Sequence, residues 1–579
     1  MPGKFLKNTL VATYQPEVQS ALPTDINPAM RKWLPFVIIT ITACIYSRVC
    51  SYGFLHMDDD AFILNNPVLK GQGWDGLVQL FTNVNSGKYQ PLTQLTFMLE
   101  YRLFGFDAAV FHFVTAFFHL LNIWLVFKLT EKLSGKTIAG LVVAALFALH
   151  PMHVEEVAWV SELKDTLPAF FYLSALLCYI RYSDSGFSRK NYAAVFLFFL
   201  AALLSKSACV SFPLVVLLID KYKGRPMDKW AWMEKIPLAV FSLVFLMMSL
   251  QSKSNEGQVV VTHAAHSLFN RIFLFTYVPS FYIVKAIVPF PLSAMYYYPQ
   301  LQNGVLPWIY YVSLPFFLFI IWLIFRPSAF RKELAFGFLF FVVTIAFMDQ
   351  VIQIGPSLTP ERYTYIPYIG LFYIIGQFIA GLWHTKRKNS ATGVFVCALA
   401  LFAVITWQRV AVWENDDTIF GDVIVHNPHV PDAYYPYYIL GTGKQRDGNP
   451  EGAMDDYNES IDLYPDFADV YDKRGELYIK ANDMKSALED FNHAINLNSE
   501  MPAAYNNRAS VRANSGDFKG AVDDYNVFLK MKPDNKRIYA DRGMARLMSG
   551  DTTGACADLK TSLDMGNQAA GQLLQQYCH

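Results

Sequence analysis

The feature that most constrains this chain is a series of apolar runs through its first 410 residues, many of them about as long as a bilayer is thick. Hydrocarbon about 30 Å thick takes about 20 mostly apolar residues to cross, and a helix satisfies its own backbone hydrogen bonds on the way. Such runs fall at 33–50, 111–130, 137–150, 166–181, 236–250, 307–325, 335–352, 363–383 and 392–408. Residues 193–219 divide into two shorter runs around LLSKSA, read as two short helices meeting at Ser205 and Lys206. The expected total is 11 spans. A hydrophobic share of 53% agrees with membrane insertion, and equal numbers of basic and acidic residues, 48 each, give no reason to expect a nucleic-acid partner. Residues 1–32 are polar, and no small-residue cleavage site follows the first run, so that run reads as a retained anchor.

Basic residues in short loops set orientation. Lys4, Lys7, Arg31 and Lys32 precede the first run, and Lys128, Lys132 and Lys136 follow the second. Similar clusters at 181–190, 221–229, 326–332 and 386–388 are expected on the same, cytoplasmic side. Alternation then puts 51–110, 150–165, 205–207, 251–306 and 353–362 outside, together with everything after Gln408. The apolar stretch 270–290 would break this alternation as a span and is taken as interfacial or re-entrant.

Past residue 432 the pattern changes to a repeat of 34 residues. Gly448, Asn482, Gly516 and Gly550 share this step, as do Ala453, Ala487, Ala521 and Ala555. Tyr457, Phe491, Tyr525 and Leu559 repeat likewise, and so do Arg474, Arg508 and Arg542. Small and aromatic residues at these offsets resemble the tetratricopeptide pattern of interlocked antiparallel helices. The expected organisation is a cytoplasmic segment 1–32, a membrane domain 33–408, a linker 409–431, four repeats over 432–567 and a capping helix 568–579. From Asp432 onward 16 basic and 23 acidic residues leave a net charge of −7, which suits a basic or neutral peptide or protein partner. Of seven cysteines, five lie in or beside apolar segments, and only Cys556 and Cys578 are placed to pair.

The outward segments collect the ionisable residues. MDDDAFILNNP at 57–67 carries Asp58, Asp59 and Asp60 where the chain leaves the first span. HPMHVEEVAW at 150–159, SELKD at 161–165, the Ser205–Lys206 junction and TPERYTYIP at 359–367 fall on the same predicted face. Ionisable groups at membrane depth are costly and usually functional. A salt-bridged, solvated rim is the plain alternative. No Walker loop or dinucleotide fingerprint appears, so direct use of a nucleotide is not expected.

DDDAFILNNP, YQPLTQLTFMLEY at 89–101, FALHPMHVEEVAWVSELKD at 147–165, LLSKS at 203–207, ERYTYIPYIG at 361–370 and the repeats together resemble the transmembrane and tetratricopeptide-repeat O-mannosyltransferase-like family. That resemblance implies an all-α, C-type (GT-C) glycosyltransferase fold followed by an α-solenoid. It also implies transfer of a sugar, mannose by family likeness, from a polyprenyl-phosphate donor to a hydroxyl outside the cytoplasm: the bacterial periplasm or the secretory lumen. Such chemistry needs a base for the acceptor proton and cations for the departing phosphate. Asp58 is the expected base, with Asp59 in reserve and each acid raising the pKa of the other; Asp60 and Asn65 are expected as turn and cap residues. Arg362 is the expected leading phosphate ligand, with Lys206 and Lys164 behind it and His150 and His153 as further contacts to phosphate or sugar. Glu155, Glu361 and Asp165 are expected to orient these groups: Glu155 a histidine, Glu361 the arginine, Asp165 its neighbour Lys164. A divalent metal on His150, His153 and Glu155 is a lesser alternative, and no cofactor is required. Two other functions are compatible with this pattern: a non-catalytic membrane-anchored repeat scaffold, and a transporter. A transporter would place its ionisable groups nearer the midplane than the rim.

Overall fold

The computed structural model describes residues 27–71, 73–82, 89–255, 267–301, 303–346, 357–427 and 430–578. Most of the N-terminal segment, with Lys4 and Lys7, the end of the expected run 335–352 and the start of the loop 353–362 lie outside these residues. The described secondary structure is helical, apart from one bridge between Tyr297 and Ser357. Two compact units divide between Ile419 and Phe420.

In the first unit six helices are long and apolar enough to cross a membrane: Pro28–Ser51, Ala108–Ser134, Val160–Asp184, Lys229–Gln251, Trp308–Phe325 and Lys388–Val412. Thr137–Leu149 and Pro151–Ala158, bent by 61° relative to one another, make a seventh if they act as one span. The break is local chemistry: Pro151 cannot donate to the ladder and forces His150 extended, at φ −77° and ψ 127°. The other expected spans are shorter helices, Arg189–Ser205, Phe212–Lys223, Arg331–Ile345 and Tyr368–Leu382, of 17, 12, 15 and 15 residues. At 1.5 Å per residue they reach only about 18–26 Å. Among the described residues six helices, or seven with the bent pair, have the length and apolarity of a span, against the 11 spans expected, two of them as short helices. The segment 150–165, expected as an outer loop, instead holds the short arm of the bent pair and the first turns of Val160–Asp184. Residues 270–290 contain the helix Leu268–Lys285, which meets Trp308–Phe325 near the latter's start, with Thr276 Oγ1 2.9 Å from Ser313 Oγ.

Polar contacts gather at the two ends of this unit. At one end the basic loops close on each other: Arg31 bonds Glu131 at 2.9 Å, Lys136 bonds Gln377 at 3.0 Å, and Arg225 bonds Glu234 at 2.6 Å. At the other end Asp58, Glu155, Lys164 and Arg362 meet one another directly or through Glu162, and Lys206 pairs with Asp165. Loop basicity alone groups the same residues on two sides, and the long-range contacts follow that grouping.

The second unit pairs eight helices in succession: Tyr434–Arg446 with Pro450–Leu463, Ala468–Lys480 with Met484–Leu497, Pro502–Asn514 with Phe518–Met531, and Lys536–Met548 with Thr552–Asp564. Gln568–Tyr577 follows and is held by the Cys556–Cys578 disulfide. The residues at the 34-residue step sit at the turns with positive φ: 79° at Gly448, 61° at Asn482, 85° at Gly516 and 91° at Gly550. Inside each pair a small residue receives an aromatic or aliphatic one; a Cβ on Gly475 would lie 2.7 Å from the Phe491 ring. Arg508 forks onto Asp524 at 2.6 and 3.0 Å and reaches Asn492 of the preceding pair at 2.7 Å. Arg474 and Arg542 make the equivalent bonds, so a polar ladder ties pair to pair. The interval 409–431, expected as a linker, contains the end of Lys388–Val412 and the helix Asp416–His426.

Candidate functional site

The site forms where four segments end together. Asp58 and Asp59 stand at the turn into the one-turn helix Asp60–Leu64, which is packed by Phe62 and Ile63 into a core with Phe97, Leu163 and Leu167. Asn65 closes this helix as its C-cap, with its N–H bonded to Asp60 O at 2.8 Å, and Asn66 caps the next turn: its Oδ1 accepts from Val68 N at 3.1 Å, and its Nδ2 donates to Gln94 Oε1 at 2.7 Å.

This turn gives the two aspartates different surroundings. Asp58 keeps 35% of its side chain exposed and accepts from Lys164 Nζ at 2.6 Å. Asp59 has none: its oxygens accept from Leu55 N at 2.9 Å, Ser161 N at 3.1 Å and the Ser161 hydroxyl. Asp59, expected as the reserve base, is therefore an anchor between the turn at 58–60 and the start of Val160–Asp184. Burial pushes its carboxyl up to about 6 against the pull of those donors and of Lys164. The expected cause, repulsion from its neighbour, is not the leading one.

Behind Asp58 lies an alternating cluster of charge. Lys164 Nζ also sits 2.9 Å from Glu162 Oε1, and Glu162 in turn lies 3.7 Å from Arg362 Nε. Glu155 clamps Arg362 twice, taking Nη1 at 2.5 Å and the backbone N–H at 2.9 Å. Desolvation would lower the arginine pKa, but Glu155 and Glu162 outweigh it and hold the guanidinium charged. A quarter of the Arg362 side chain remains exposed, and its guanidinium carbon is 6.0 Å from the Trp159 ring centre and 5.5 Å from that of Tyr363. Lys206, extended at the break between Arg189–Ser205 and the next turn, binds both oxygens of Asp165 at 2.6 and 2.8 Å. These two residues border a small cleft lined also by Pro168, Cys209, Thr344 and Ile366.

Several expected partnerships are exchanged. Glu155 orients Arg362, not a histidine, while Glu361 turns away to Tyr296 at 3.0 Å and Arg409 at 3.4 Å. Asp165 serves Lys206, not its neighbour Lys164. His150 and His153 are fully buried and do not reach the exposed rim. His150 Nδ1 accepts from Met152 N at 3.3 Å with Nε2 3.3 Å from Ala286 O, and His153 Nδ1 donates to Phe147 O at 2.9 Å. Their surroundings are aromatic, including Tyr365, Tyr368 and Phe372. With Glu155 committed to Arg362, the three groups of the metal alternative do not converge on one point.

Comparison with known proteins bears on this arrangement. Protein O-mannosyl-transferases match most of the chain: one from Caenorhabditis elegans is 23% identical over 74% of this chain and 63% of its own length. The human protein O-mannosyl-transferase TMTC1 is 24% identical over 75% of this chain and 55% of its own. A tetratricopeptide-repeat model matches residues 468–501.

Over three quarters of its length the chain is similar to protein O-mannosyl-transferases.

It spans roughly half to two thirds of the length of these relatives. A crystal structure of MamA aligns over 27% of this chain and 85% of its own at 21% identity, with a TM-score of 0.24. At this site, sequence reasoning passes over Glu162, Ser161, Tyr296 and Arg409. Glu162 was within reach, being a third charge in SELKD beside a lysine. Ser161 as the partner of Asp59, and Tyr296 and Arg409 as partners of Glu361, join residues 102, 65 and 48 positions apart and leave no local signal.

Proposed function

We propose that this protein is an integral membrane glycosyltransferase that moves a hexose, mannose by kinship, from a polyprenyl-phosphate donor to a hydroxyl of an extracytoplasmic acceptor, a Ser or Thr side chain. The observation that carries this reading is the half-open carboxylate of Asp58 beside a partly exposed Arg362, connected through Lys164 and Glu162. Matches to O-mannosyl-transferases over three quarters of the chain support the same chemistry.

In this reading Asp58 accepts the acceptor O–H proton as the oxygen attacks the anomeric carbon. The bond from that carbon to the phosphate oxygen breaks, and the electron pair leaves with polyprenyl phosphate, which gains a negative charge. Single displacement inverts the anomeric centre. Arg362, fixed by Glu155 and Glu162, stabilises the gathering phosphate charge, and Lys206 beside its cleft is the second cation. Lys164 has a different part: it holds the Asp58 carboxylate in place while the acceptor is absent. The positive-inside pattern puts this rim outside the cytoplasm, and the helical repeats then present or select the acceptor chain.

The test is transfer from polyprenyl-phosphate mannose to an acceptor polypeptide in membranes containing the full chain, read by mass spectrometry of the acceptor. Donor-dependent addition of hexose that is lost in Asp58→Asn is expected. Hexose transfer unchanged by Asp58→Asn rejects Asp58 as base, and absence of transfer with a range of lipid-linked sugars and acceptors rejects the activity.

A further inference from the structure

The span Lys388–Val412 exposes apolar side chains such as Val394, Val396, Leu401 and Val404, yet its last turns bury polar ones. Thr406 is fully buried and Arg409 is 5% exposed. A buried hydroxyl and guanidinium at the end of an apolar helix are costly unless they are paired. Both are paired, and with segments of the candidate site. Thr406 Oγ1 donates at 2.8 Å to Leu149 O, just before the Pro151 break. Arg409 Nη2 donates at 3.4 Å to Glu361 Oε1, on the chain neighbour of Arg362.

The contacts continue past the end of the helix. Thr406, Arg409, Trp413 and Asp416 are spaced i, i+3, i+7, i+10, the spacing of one helical face. Trp413, buried, stacks on Trp159 at 5.6 Å, and the Trp159 ring centre lies 5.0 Å from Lys164 Nζ and 6.0 Å from the Arg362 guanidinium carbon. Asp416, which opens the helix Asp416–His426, takes two bonds from His56: the backbone N–H at 2.9 Å on one oxygen and Nδ1 at 2.5 Å on the other. The preceding N–H, that of Leu55, is held by Asp59 at 2.9 Å. Two carboxylates thus hold consecutive backbone N–H groups just before Asp58, and such charge-assisted bonds are roughly twice as strong as neutral ones. All of these contacts lie within the first unit.

We propose that residues 406–416 brace the transfer site, and that Asp416 is a positioning residue that sets the distance between the Asp58 turn and Arg362. Base and phosphate cation stand on different segments, and the brace touches both: His56 on one side, Glu361 and Trp159 on the other. Lys164 and Glu162 connect Asp58 to Arg362 through side chains, which leaves the backbone of the Asp58 turn to be fixed by Asp416 and Asp59. Displacement at the anomeric carbon needs base, acceptor and phosphate at set separations, and a misplacement of about 1 Å costs about 10²-fold in rate. The positioning role rests on the proposed transferase reading; the brace itself does not.

The test uses the full chain in nanodiscs. Transfer from polyprenyl-phosphate mannose gives kcat and the KM for donor, and backbone hydrogen exchange of residues 52–60, read by mass spectrometry without donor, reports the turn. Asp416→Ala removes both bonds and is expected to lower kcat about tenfold to a hundredfold with the KM for donor within about twofold of the parent, since Glu155 still holds Arg362. Exchange should quicken at 52–60 and stay parental in Ala108–Ser134, which reports a folded protein. Asp416→Asn keeps an oxygen for the His56 N–H and is expected to restore most of both kcat and protection. Parental kcat in Asp416→Ala overturns the positioning role, and so does a loss of kcat that Asp416→Asn shares in full. Parental exchange at 52–60 in Asp416→Ala overturns the brace. If the parent transfers no hexose, the transferase reading fails, and exchange at 52–60 alone supports or overturns the brace.

Discussion

Replacing Asp58 by asparagine removes one negative charge and one proton acceptor from a position that is 35% exposed. Lys164 keeps Glu162 at 2.9 Å, so its ammonium retains a buried counter-charge. A pair with one half-exposed member contributes about 0–1 kcal/mol, so Asp58→Asn should fold and insert as the parent does. Loss of a general base costs about 10²–10⁴ in rate, equivalent to about 3–5 kcal/mol of barrier. Asp59→Asn should behave in the opposite way. It brings an amide NH₂ into a site whose contacts are all donors, and leaving a buried N–H unsatisfied costs about 1–3 kcal/mol. The assay pairs single-turnover hexose transfer at saturating donor with thermal unfolding of detergent-solubilised protein. The reasoning is refuted if Asp58→Asn retains more than about a tenth of parental turnover, or if Asp59→Asn unfolds at the parent's temperature.

Asp59 also provides a pH test. Its folded carboxyl is raised from 3.8 to about 6, so between these values the folded state binds a proton that the unfolded state does not. The protonation-linked stability is complete below pH 3.8 and lost as pH rises through about 6, an effect of about 3 kcal/mol that should be missing from Asp59→Asn in denaturation across pH 4–7. Glu155→Gln should raise the KM for lipid donor and lower kcat/KM about tenfold or more through the displaced Arg362, although Glu155 makes no donor contact; an unchanged KM counts against Arg362 as phosphate ligand. Gly475→Ala forces a Cβ to 2.7 Å from Phe491 and should lower the stability of the repeat unit by about 1–3 kcal/mol in urea denaturation. Cys556→Ser/Cys578→Ser opens a closed loop with a sequence separation of 22 and should cost about 3 kcal/mol by chain entropy, read by the same denaturation.

The two parts of the molecule were legible to different degrees. In the repeats, each residue at the 34-residue step reports a contact within one helix pair or its neighbour, such as Gly475 against Phe491 or Arg508 on Asp524. Period alone therefore locates turns, interlocks and cap. In the membrane unit, hydropathy locates the apolar runs but not their depth. Pro151 bends a would-be span, which hydropathy does not measure, whereas the break at Ser205–Lys206 was legible in the interrupted apolar run.

At the candidate site the sequence by itself determined which charges would share a face: Asp58, Lys164, Lys206 and Arg362 come from segments that loop basicity puts on one side. Tertiary structure alone decided how they pair and which of them stay open. Asp58 and Asp59 are neighbours of identical chemistry, yet one faces outward to Lys164 and the other is sealed under Leu55 and Ser161. His150 and His153, ligand types by sequence, are enclosed by aromatic side chains contributed by several helices. The reason is physical: residue type and spacing fix ionisation chemistry and helical face, whereas burial and partner choice depend on which segments meet after folding. Those meetings join residues such as Glu155 and Arg362, which are 207 positions apart.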